Sequence, residues 1–75
     1  MKAEYTVIYY PDGDGWGAEV PDLSGCFTCG DSLDEVRGLV KEAIETWIRG
    51  RIDEGRNIPK PSRMAETVII DVAVA

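Results

Sequence analysis

The chain has 75 residues, 44% of them hydrophobic, with a formal net charge of −6, two cysteines and no histidine. That length makes one domain and excludes a second, and a chain so short buries only roughly 60% of its unfolded surface, so oligomerisation is expected to complete its stability. No stretch approaches the roughly 18 apolar residues needed to span a bilayer, and the start, Met1 to Tyr5, lacks the apolar core of a signal peptide. A cytoplasmic protein with reduced cysteines is the expectation.

Charge is uneven along the chain. Residues 1–35 carry eight acids against Lys2 alone, a balance of −7, while residues 36–75 carry six acids against seven bases. An acidic half repels phosphate backbones, so direct nucleic-acid binding is not expected. The same half would attract a basic protein, although an acidic surface can also serve solubility alone.

Glu4–Tyr10 is rich in aromatic and β-branched residues and predicts a strand. Pro11 to Gly15 contains two Asp-Gly pairs and predicts a turn. From Trp16 to Val20, Trp16, Ala18 and Val20 alternate with Gly17 and Glu19, the pattern of a strand with one buried face. The two strands make a hairpin. Pro21 to Gly25 is a second turn, and Cys26–Cys29 a short third strand.

Ser32-Leu33-Asp34-Glu35 has the form of a capping box, in which the Ser32 hydroxyl accepts from the Glu35 amide and the Glu35 carboxylate reaches back to the Ser32 amide. The helix it opens is expected to end at Asp53 or Glu54, with Gly55 as its stop. Leu33, Val36, Val40, Ala43, Ile44, Trp47 and Ile52 form its apolar stripe. Prolines at 59 and 61 forbid helix beyond it. Thr67–Val74 is apolar apart from Thr67 and Asp71, and predicts a closing strand. The expected fold is α+β, a β-β-β-α-β domain with a mixed or antiparallel sheet and one main helix packed on one face.

Cys26 and Cys29 form a Cys-x-x-Cys. An odd separation along a strand points them to opposite faces, and a zinc site needs four ligands. Small core residues are the expected identity, with no metal or cofactor. The carboxylates Glu4, Glu19, Asp22 and Asp31 follow no known metal-binding motif, and Asp31, Asp34 and Glu35 are accounted for by the helix start. Trp47 lies on the helical stripe and is expected in the core or at a subunit contact. Trp16, after a Gly-rich turn, can pack inward or join a partner surface.

The run AEVPDLSGCFTCGDSLDEV, a helix carrying KEAIETWI, then GRNIPKPS and an apolar strand resemble the HicB family of antitoxins from residue 4 to about 72. The resemblance implies a partial RNase H-like fold without its catalytic apparatus. It implies a protein that binds and neutralises a HicA-type toxin, a small basic ribonuclease, and that self-associates as a dimer or tetramer. Many members carry a C-terminal DNA-binding domain; the sequence stops at Ala75 after the closing strand, so a single domain without operator binding is expected. Asp12, Asp14, Trp16 and Asp22 are the candidate partner-binding residues. Trp47, Val68, Ile70 and Val72 are the candidate oligomer contacts, the terminal segment because an exposed apolar strand invites pairing with another chain. Two other functions stand beside this one: an orphan homo-oligomer without a toxin, and a residual metal-dependent nuclease.

Overall fold

In a computed structural model describing residues 2–73, the first hairpin forms from Ile8–Asp12 (β1) and Gly15–Glu19 (β2), joined through Gly13 and Asp14. Phe27–Gly30 (β3) pairs antiparallel with β2, giving a three-stranded sheet in the order β1-β2-β3. The helix α1, Leu33–Asp53, packs on one face of the sheet against β2 and β3.

β1 starts four residues later than the aromatic run suggested. Its ladder begins where Ile8 meets Glu19, the last residue of β2. Residues 4–7 therefore have no strand opposite them, whatever their β-propensity. At its other end β1 absorbs Pro11, opposite Trp16. A proline is tolerated there because β1 is an edge strand, where a missing N–H need not break a ladder.

The core gathers between sheet and helix. Ala18 and Val20 from β2, Leu23 and Cys26 from the following loop, and Val36 and Val40 from α1 are all buried. Tyr5, Val7, Tyr9, Trp16, Ala43, Ile44 and Trp47 close around them. The β2 alternation thus works as expected, and the helix contributes a face at three- and four-residue spacing. Burying each of the large side chains is worth about 1.5–3 kcal/mol.

Both helix ends are closed by their own sequence. The Ser32 hydroxyl accepts from the Glu35 amide at 3.1 Å. The Glu35 carboxylate takes the amide of Asp31, at 3.2 Å, and not that of Ser32 as the capping box predicted. At the other end Glu54 is the C-cap, and Gly55 adopts φ +68°. The Gly55 amide bonds to the Ile52 carbonyl and the Arg56 amide to that of Arg51, a Schellman motif that requires this left-handed residue.

The closing strand over Thr67–Val74 is corrected. Residues 56–73 form no helix or strand, and Val74 lies outside the described residues. Val68, Ile69, Ile70 and Val72 are all exposed, Ile69 at 94%. A strand exists only through the ladder it joins, and this segment lies against no sheet edge of its own chain.

Candidate protein-binding surface

The helix covers one face of the sheet and leaves the other open. Residues paired across the ladders share a face, so Ile8, Glu19 and Phe27 form one outward row and Tyr10, Gly17 and Cys29 the next. Ile8, Tyr10 and Phe27 are exposed, Phe27 at 67%. The Tyr10 ring lies so closely over Gly17 that a side chain there would have to displace it. This apolar outer face escaped the sequence reading, which sought the buried face of each strand. The signal was present as the second phase of the same alternation, with Ile8 and Tyr10 alternating with Val7 and Tyr9.

At the hairpin end of this face stand Asp12 and Asp14, both exposed. They line an open depression together with Gly15, Cys29, Gly30 and Asp31. Among the described residues neither Asp12 nor Asp14 has a salt-bridge partner. The turn brings Asp12 and Asp14 together, and the end of β3 adds Asp31, so three carboxylates flank an apolar sheet face.

Asp22 stands apart from Asp12 and Asp14 and is buried. It sits in the loop between β2 and β3, which is drawn tight by the Val20 amide on the Cys26 carbonyl, Leu23 on Val20 and Cys26 on Leu23. The last of these turns holds Gly25 at φ +79°, which a type II turn demands at its third position. Its side chain is 2% exposed. One Asp22 oxygen accepts from the amides of Ser62, at 2.9 Å, and Arg63, at 3.2 Å. The other accepts from the Ser62 hydroxyl at 2.7 Å and from the Arg63 guanidinium. The amide and hydroxyl of Ser62, then Arg63, hold this carboxyl well below the usual carboxylate range, against burial, which pushes it up. Asp22 is a clamp on the segment after the helix. The signal in the sequence was an acid in a tight turn and a Ser-Arg pair after two prolines, forty residues apart and linked by no local pattern.

The tryptophans also turn inward. Trp16 shares its row with Pro11 and Gly30 on the helix side and packs against the core, which resolves its two readings and removes it from the open face. Trp47 donates its indole N–H to the Ser24 carbonyl at 3.0 Å, and the Arg51 guanidinium lies 4.4 Å from its ring centroid. These contacts tie α1 to the Asp22 loop. Val68, Ile70 and Val72, by contrast, are free of contacts that would bury them.

Cys26 is buried, and burial pushes its thiol pKa up. Cys29, in β3, is exposed on the outer face, whereas Cys26 lies in the loop before that strand, and the expectation of a core role fails for Cys29. Among the described residues no group of three or more Cys, Asp or Glu is placed to hold a metal ion, and Glu4, Glu19, Asp22 and Asp31 are not gathered into one site. No helix is long and apolar enough to cross a membrane.

Fold and surface together define a small α+β module with one sheet face closed by a helix and the other open, edged by carboxylates. The family described as HicB_like antitoxin of bacterial toxin-antitoxin system matches residues 5–71, and the chain belongs to that family. Among curated relatives, a UPF0150 protein of Thermoplasma acidophilum is 38% identical over 66 residues, covering 87% of this chain and 96% of its own. A 14.9 kDa protein from the rep-hol intergenic region of Haemophilus phage HP1 is 33% identical over 64 residues, 85% of this chain and 48% of its own. Antitoxin HicB 2 of Photorhabdus laumondii is 29% identical over 65 residues, 87% of this chain and 47% of its own. The chain therefore spans about half the length of the last two.

Proposed function

We propose that this chain is a non-catalytic antitoxin module that binds and neutralises a small, basic HicA-type ribonuclease toxin. The observation that carries the reading is the open sheet face, where exposed Phe27, Tyr10 and Ile8 adjoin the unpaired carboxylates Asp12 and Asp14. A basic RNA-binding surface is drawn by the carboxylates and anchored on the aromatics, and the antitoxin then occupies the space its RNA substrate needs. The chain acts through a self-associated form, a dimer or tetramer, in the cytoplasm.

The test is inhibition of a HicA-type toxin's RNA cleavage by the purified protein. The wild type suppresses cleavage. Asp12→Lys with Asp14→Lys loses suppression by at least roughly ten-fold, since opposed like charges cost several kcal/mol at an interface. Suppression unchanged by that double substitution would reject the docking face. No binding to any toxin of this type would reject the function.

A further inference from the structure

The chain exposes far more surface than it should. Its accessible area is 6131 Å², whereas a compact monomer of this mass exposes about 4,500 Å². Its radius of gyration is 15.2 Å, against about 11 Å for a compact domain of this length. Five of the nine large hydrophobic residues exposed among the described residues lie in one segment. Among the described residues no hydrogen bond or salt bridge joins 64–73 to the rest of the chain, and Met64, Val68, Ile69, Ile70 and Val72 are 66–94% exposed.

The same chain carries a matching vacancy. β1 has a free edge, since the sheet runs β1-β2-β3. Beside the segment leading into β1, residues 2–5 and the helical side chains Lys41, Ile44, Glu45 and Ile48 enclose a mainly apolar groove. A strand added along that edge turns alternate residues toward α1. Val68, Ile70 and Val72 are such a set. Pro11, which lacks an N–H, limits the pairing to the N-terminal part of the edge.

The arm does not lie in its own chain's groove. Asp22 grips Ser62 and Arg63, and the Arg63 carbonyl accepts from the Thr6 hydroxyl, so the arm leaves the body beside residue 6. Ile58 to Pro61 already flank residues 2–5 on that side. In its own chain the arm leaves that groove open, with Val68, Ile70 and Val72 66–75% exposed. An arm from a second copy can fill it, and one two-fold axis makes each copy both donor and acceptor. The excess area, on the order of 1,600 Å² per chain, exceeds the roughly 800 Å² each partner gives to a standard interface.

We propose that two copies exchange their C-terminal arms, Met64–Ala73 of each adding a strand to the free β1 edge of the other and seating Val68, Ile70 and Val72 on Ile44 and Ile48. The exchange rests on the self-association proposed above and gives it a surface. The experiment uses the full chain, with mass measured by sedimentation and folding checked by circular dichroism. The wild type is a dimer whose amides at 68–72 are protected from hydrogen exchange. Ile70→Lys in the arm and Ile48→Glu in the groove each stay folded and weaken dimerisation by at least roughly 30-fold. Mixed together, the two variants form a heterodimer through the one intact arm and groove. A dimer indifferent to Ile70→Lys, or two variants that fail to complement, overturns the exchange and leaves self-association standing. A wild-type monomer overturns both, and protection of 68–72 within that monomer shows the arm folding on its own chain. Protection that appears only with a basic toxin assigns the arm to that partner and overturns the exchange.

Discussion

Asp22 shows how much one side chain can decide. Four donors from Ser62 and Arg63 converge on its carboxylate, and they hold the segment after the helix to the loop between β2 and β3. Its folded pKa is depressed, so the stability it contributes is fully present above the unfolded value of about 3.9 and is lost as pH falls through the folded value. The NMR shifts of the Ser62 and Arg63 amides should therefore hold steady from neutral pH to about 4 and move only in stronger acid. Asp22→Ala should release the clamp at neutral pH and speed tryptic cleavage after Arg63, with the helix unchanged. The cysteines make a second contrast. Iodoacetamide should modify Cys29 in the native protein and spare Cys26, which is buried and whose thiol pKa is raised; mass spectrometry of peptides before and after denaturation reads the difference.

At the scale of elements, the helix was legible because its signals are local. The Ser32 cap, the Val36 and Val40 spacing and the Gly55 stop lie within a few residues of what they control. Ser32→Ala removes the acceptor for the Glu35 amide, and thermal or urea unfolding should show a loss of about 1 kcal/mol. Ser32→Asp should restore most of it, since aspartate caps equally well. The strands were half legible. Alternation placed Ala18 and Val20 inward, but propensity started β1 at Glu4, where the structure starts it at Ile8. The length of β2 sets that boundary, and no feature of residues 4–7 encodes it. The terminal segment failed for the same reason in stronger form: its composition is that of a strand, and among the described residues it lies against no sheet edge. The site followed the same rule. The exposed placement of Asp12 and Asp14 was readable from their turn, whereas the contacts of Asp22 and Trp47 are with residues forty and twenty-three positions away.

At the scale of the molecule, the proposed binding of a basic partner assigns separable contributions to the acidic excess of residues 1–35 and to the open outer face. Asp12 and Asp14 are exposed at the edge of the surface, where charge acts at a distance and accelerates encounter. Phe27 lies within the sheet face, where contact must exclude water before it contributes. The two roles divide between the rate constants for a HicA-type toxin. Raising ionic strength from about 0.05 M to about 0.5 M should slow association by about ten-fold or more as the Debye length shrinks to a few Å. Asp12→Lys with Asp14→Lys should slow association at low salt and flatten that dependence, with little change in dissociation. Phe27→Ala should leave association and its salt dependence intact and speed dissociation by roughly 30-fold, the loss of one hot-spot anchor. Surface plasmon resonance across a salt series reads all three. If Phe27→Ala changed only association, or the charge reversal only dissociation, the hairpin tip would not be steering and the sheet face would not be the anchor.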